Sequence, residues 1–180
     1  MRYFDLVLAS GGDSLHPIDG RLAAASGITR ELLHHVDGYG DGTGALLYRL
    51  RGDPEAAAVA VQGDGLLDYD VTEPDADGGF YCYVRLTPAD PTGTLLALCY
   101  EHALIIETPV TFREDGSLRV RIVGQHETLR EALTTVSDGV QVTVEEVGHY
   151  TPGREDARSL LTERQRDIFE TAVDRGYYRI

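Results

Sequence analysis

The residues of this chain that could do chemistry fall into a few groups. Ser14 stands in Gly11-Gly12-Asp13-Ser14, directly after a short hydrophobic block. A serine hydroxyl there could act as a nucleophile if a histidine base and oxyanion donors reached it. His34 and His35, with His16 and Asp37, are of metal-ligand type. On a strand, neighbouring side chains point to opposite faces, so His34 and His35 cannot share one ion, and surface or edge positions account for them. Asp75-Ala76-Asp77-Gly78 and the run from Asp37 to Gly42 carry the acidic spacing of a calcium loop only in part, because the twelfth positions are Leu86 and Tyr48 where a closing glutamate is needed. No metal site is expected. The glycines at 38, 40, 42 and 44 lack the strand-helix-strand setting of a dinucleotide fingerprint and read as a hairpin tip. What remains is an early concentration of polar groups: Asp19, Arg30 and Glu31, with His16 and His34, form the candidate ligand-binding patch.

Elements whose order can be read from periodicity must position these residues. Residues 3–9 are predicted as a strand, 18–25 as a helix, 28–36 and 45–51 as a hairpin, 54–61 as a helix and 66–71 as a strand. The second half repeats this order more cleanly. It reads as a strand at 80–86, a helix opening at Asp90-Pro91-Thr92, and strands at 104–112 and 118–123 joined by a Glu114-Asp115-Gly116 turn. A helix at 128–136 and a strand at 140–147 complete it. Gly44 precedes Gly52 by eight residues and Gly116 precedes Gly124 by eight, each pair led in by a hairpin Asp-Gly and followed by a helix. The expected fold class is therefore α+β: two tandem ferredoxin-like (βαββαβ) units with antiparallel sheets, residues 1–76 and 78–150, followed by a C-terminal helix within 154–180. In paired units of this kind small ligands often bind at the seam.

Composition removes several classes of function. At 180 residues and 42% hydrophobic, the chain is long enough to bury a core without disulfides, and Cys82 and Cys99 read as buried thiols. All 16 cationic side chains of the Lys+Arg total are arginine, so a Walker-A loop and a pyridoxal Schiff base both lack their amine. No cofactor is expected. Thirty acids give a net charge of −14, a surface that repels nucleic acid at ordinary salt and suits a salt-accumulating cytoplasm. There is no run of eighteen apolar residues and no signal-peptide pattern, so neither membrane association nor export is expected. The charge is uneven: residues 154–180 hold six arginines against six acids, leaving the whole net charge to residues 1–153. A boundary is expected near Tyr150-Thr151-Pro152-Gly153.

Beyond that boundary, Thr162-Glu163-Arg164-Gln165 has the form of a capping box, and Ile168, Phe169, Ala172 and Val173 make one apolar stripe before Gly176. A helix this short must dock on something to be stable.

Two resemblances follow. Gly12-Asp13-Ser14-Leu15 resembles the first block of the GDSL esterases, in which the serine is the nucleophile. That family also needs an asparagine oxyanion donor and an Asp-x-x-His, whereas this chain has no asparagine and its late His149 has Glu146 three residues before it. The esterase also needs a parallel sheet, while hairpin signals dominate here. Residues 11–14 are therefore read as a turn, and no catalytic residue is expected. The second resemblance is broader. Leu161-Thr162-Glu163-Arg164-Gln165, then Ala172, then Gly176-Tyr177-Tyr178 resembles the opening of the helix-turn-helix domain of haloarchaeal bacterio-opsin-activator-type regulators. His16-Pro17-Ile18-Asp19, Glu31-Leu32-Leu33-His34-His35 and Asp41-Gly42-Thr43-Gly44 resemble the sensor domain preceding it in members similar to the dimethyl sulfoxide reductase regulator.

The resemblance implies a sensor and dimerisation region of a transcription regulator, cytoplasmic, homodimeric and non-enzymatic, with a small-molecule effector. Members continue past the tyrosine pair with two more helices, one of which reads base edges, and this chain stops at Ile180. DNA is thus expected as a partner only of a longer form, in which Thr162 would cap the helix and Arg164 and Gln165 would contact phosphate. The alternatives are a stand-alone effector-binding module without DNA contact and, third, the GDSL-type hydrolase.

Overall fold

The computed structural model describes residues 1–11, 14–135 and 139–151. Met1–His149 forms one compact unit, and Tyr150–Ile180 is divided from it. The elements run β1 (Arg2–Ser10), α1 (Pro17–Ala24), β2 (Ile28–Gly38), β3 (Gly44–Gly52), α2 (Pro54–Ala60), β4 (Leu66–Val71), β5 (Gly79–Leu86), α3 (Thr92–Glu101), β6 (Ile105–Phe112), β7 (Leu118–Gly124), α4 (His126–Thr135) and β8 (Val140–His149).

All eight strands join one open antiparallel sheet in the order β4-β5-β3-β2-β6-β7-β1-β8. This overturns the expectation of two ferredoxin-like units. In such a unit the first strand lies between the third and fourth strands of its own half, which would put β1 between β3 and β4 and β5 between β7 and β8. Here the two first strands are exchanged: β1 pairs with β7 and β8, and β5 pairs with β3 and β4. The middle of the sheet is closed by β2 and β6 through Leu32 opposite Thr111 and Leu33 opposite Val110. Neither 1–76 nor 78–150 is therefore a closed unit. The expected C-terminal helix lies outside the described residues.

The exchange is permitted because β1 and β5 carry the same alternation. Phe4, Leu6 and Leu8 on one, and Phe80, Cys82, Val84 and Leu86 on the other, are all buried in one core. Ile18 and Leu22 of α1, Ala57 of α2 and Leu129 of α4 are buried in the same cluster, so these helices share a face of the sheet. Fully burying a side chain such as Leu22 is worth about 2–3 kcal/mol. Among the described residues, no helix is long and apolar enough to cross a membrane.

The opposite face carries arginine-carboxylate pairs. Arg121 grips Asp5 through Nε–Oδ1 and Nη2–Oδ2, both 2.6 Å, while its guanidinium lies 4.0 Å from the Tyr3 ring centroid. At the other end Glu31 pairs with Arg51 at 2.8 Å and Arg49 at 3.4 Å, and Arg49 stacks over Tyr81. Bidentate and stacked contacts of this kind suit a planar guanidinium and not an ammonium, in accord with a chain that uses arginine alone.

Candidate functional site

Between the sheet and its helices lies a cavity of about 110 Å³. Leucine, isoleucine and valine side chains of β1, β2, β3, β6, β7 and β8 form its floor, and α3 and α4 its roof, with Leu96, Cys99, Ala132 and Leu133 turned toward it. Polar groups enter it only at one pole, where His16, Asp19, Tyr48 and Thr92 contribute to the wall.

That pole is built by the start of α1. His16 is the N-cap, with extended backbone (φ −140), and its Nδ1 accepts from the Ile18 N–H at 3.1 Å, a role more often filled by Ser, Thr, Asp or Asn. Pro17 follows at the first helical position, where its missing N–H costs nothing. Burial, with the nearby Arg21 charge second, pushes the His16 imidazole down to about 4, so it is neutral at ordinary pH. With Nδ1 accepting, its proton is on Nε2.

One turn into α1 stands Asp19, 5% exposed, its Oδ1 2.6 Å from Arg30 Nη1. The helix N-terminus favours its charge. Burial raises its carboxyl above the ordinary range, and Arg30 opposes the rise. Arg30 is held in turn over the Phe112 ring at 4.4 Å, and Phe112 stacks with Tyr48. Besides its contact with Oδ1, Arg30 Nη1 donates toward the main-chain carbonyl of Asp19 at 3.4 Å.

The register of β2 decides which candidate residues reach this pole. Strict alternation from Arg30 would place Leu33 on the opposite face. Two irregularities, one between Arg30 and Leu32 and one between Leu33 and His35, instead bring Arg30, Leu33 and Val36 to the helix side. His16, Asp19 and Arg30 are therefore brought together. Glu31 and His34 are not: Glu31 pairs with Arg49 and Arg51, and His34 meets Tyr81 edge-on with centroids 5.5 Å apart, on the other face. Thr162, Arg164 and Gln165 lie outside the described residues.

Ser14 Oγ donates to the His16 carbonyl at 2.9 Å, closing a local turn, and Gly20 is what admits it, since a Cβ there would meet Ser14 Oγ at 2.7 Å. His149 pairs with Arg2 at one end of β1, whereas Ser14 follows the other end at Ser10. The nine residues of β1 put those two strand ends about 26 Å apart. Cys82 and Cys99 are free thiols pushed up to about 12 and about 11 by burial.

Sequence reading missed Tyr48, Thr92, Cys99 and Phe112 as parts of this site. Tyr48 carried a usable signal, because it alternates with Leu46 and Leu50 on β3, a polar-tipped ring in a buried row.

A family model described as HVO_0513_N, N-terminal, matches residues 16–150. The chain belongs to this haloarchaeal family. The HVO_0513_N span starts at the N-cap histidine and includes Asp19, Arg30, Tyr48, Cys99 and every cavity residue contributed by α3 and α4. It leaves out β1, which nevertheless supplies Phe4, Leu6 and Leu8 to the cavity floor. No curated protein matches the chain.

Proposed function

We propose that residues 1–149 are the effector-sensing and dimerisation region of a haloarchaeal transcription regulator of the bacterio-opsin-activator type, working in the cytoplasm by binding and not by turnover. The observation that carries the reading is the apolar cavity with a single charged pole at α1 and β2. A concave, mostly apolar site with few converging polar groups is the common form of a small-molecule site. The output half of the reading rests on the sequence of residues 161–178. Their capping box and glycine-tyrosine-tyrosine supply the start of a DNA-binding head that a longer form would complete.

The test uses a longer form carrying the remaining helices. Specific DNA is selected from genomic fragments in molar potassium chloride, and its affinity is measured with and without residues 161–178. Loss of specific binding on deletion supports the regulator; equal affinity refutes it. Failure to select any DNA would leave an effector-binding module without DNA contact.

A further inference from the structure

An open sheet leaves two edges, and here they are β4 and β8. An edge strand presents unpaired N–H and C=O groups that another strand can take, and soluble proteins blunt such edges with short strands, charges or covering groups. The dimer itself comes from the proposed function, on which the inference rests; its place follows from how differently the two edges are finished.

β4 is closed to pairing. It is six residues long. The Thr72 N–H bonds to the Tyr81 carbonyl of β5 at 3.0 Å, so the alternation of an antiparallel ladder turns the N–H groups of Tyr69 and Val71 away from β5. Each is taken by the carboxylate of the residue before it: Asp68 Oδ1 accepts from Tyr69 and Asp70 Oδ1 from Val71, both at 2.9 Å. The same two aspartates set negative charge along that edge.

β8 has none of these guards. It runs for ten residues, Val140–His149, without proline, lysine or arginine. The Gly11 N–H bonds to the Gly139 carbonyl at 3.2 Å, so the same alternation turns the N–H groups of Val142 and Val144 outward, and among the described residues no side chain caps them. Val144, opposite Leu6, and Val147, opposite Phe4, are each 44% exposed. The acids of the strand are already held within the chain, Glu145 by Arg113 at 2.8 Å and Arg119 at 3.2 Å, and Glu146 by the Tyr3 hydroxyl.

These features suit a second copy of the chain. Two β8 strands set antiparallel about a two-fold axis offer each other the same amides and the same valines, while their acids are compensated at home. The guarded β4 stops association at two, where a second open edge would let it run on into a filament. We propose that the chain dimerises edge to edge through β8, antiparallel about a two-fold axis near Val144, so that two eight-stranded sheets become one continuous sheet.

The mass of the full chain is measured by light scattering, and the dimer dissociation constant by sedimentation, in molar potassium chloride. Val144→Pro removes an outward N–H at the centre of the interface and leaves the ladder to β1 its bonds. Val144→Thr keeps the N–H and the branched shape. Wild type and Val144→Thr are expected at twice the chain mass, and Val144→Pro is expected to raise the dissociation constant at least a hundredfold. If circular dichroism shows that Val144→Pro does not fold, Val144→Lys at the same exposed position decides, with a rise of at least tenfold expected. A monomeric wild type overturns the proposal, and is the result if residues 152–180 or another protein occupies the edge. A dimer whose dissociation constant stays within threefold of wild type in the deciding variant overturns it too, and leaves the regulator reading standing. A β8 dimer whose longer form selects no DNA removes the regulator and leaves the interface.

Discussion

Replacing the N-cap histidine with asparagine should change how stability depends on pH by an amount the structure sets. In the folded chain the His16 imidazole is held down to about 4 from 6.5, mainly because it is buried. A base depressed in this way contributes stability that is fully present above the unfolded value and is lost as pH falls through the folded one. At pH 5 an unfolded imidazole is about 97% protonated and the folded one about 10%. Proton uptake then favours the unfolded chain about thirtyfold, or about 2 kcal/mol, against a few tenths at pH 7. His16→Asn keeps an acceptor for the Ile18 N–H and removes the titration. Urea unfolding of both proteins at pH 7 and pH 5 in the same salt gives the test, because the carboxylates titrate alike in each and cancel. The wild type should lose about 2 kcal/mol relative to the variant over that interval. A difference between the two proteins that stays constant within about 0.5 kcal/mol would show that His16 is neither buried nor capping as described.

Two further substitutions address the fold. Arg121→Lys keeps the charge beside Asp5 but gives up the two-point grip, and should cost about 2 kcal/mol in denaturant unfolding; an unchanged midpoint would show the pair to be dispensable. Gly52→Ala would place a Cβ 1.8 Å from the Gly27 carbonyl oxygen at φ 118, whereas Gly42→Ala is strained only by its φ of 80 with nothing nearby. The first should cost more than about 3 kcal/mol and the second about 1 kcal/mol, and equal losses by thermal melting would count against the packing described at Gly52.

The elements were readable because period-two rows such as Leu118, Val120 and Ile122 and helical signals such as Pro54 leave a mark on local sequence. Their pairing was not. β1 and β5 present interchangeable buried faces, so nothing local to either strand tells whether it closes its own half or the other, and only the assembled sheet distinguishes the two. The site was half legible for a related reason. His16, Asp19 and Arg30 could be singled out as a polar concentration, but Glu31 and His34 were grouped with them because the two irregularities in β2 that set its faces have no sequence signature. Phe112, which holds Arg30 in place, lies far along the chain and reaches it only through the pairing of β2 with β6.

The central claim is that occupancy of the cavity is coupled to DNA binding. Its most direct measurement is the operator affinity of the longer form, compared between wild type and Ala132→Leu, in which added carbon stands in for a bound ligand. A coupling of 1–3 kcal/mol corresponds to a shift of about 5- to 150-fold, and a change in that range is the predicted result. Identical affinities for a folded Ala132→Leu and the wild type would contradict the account.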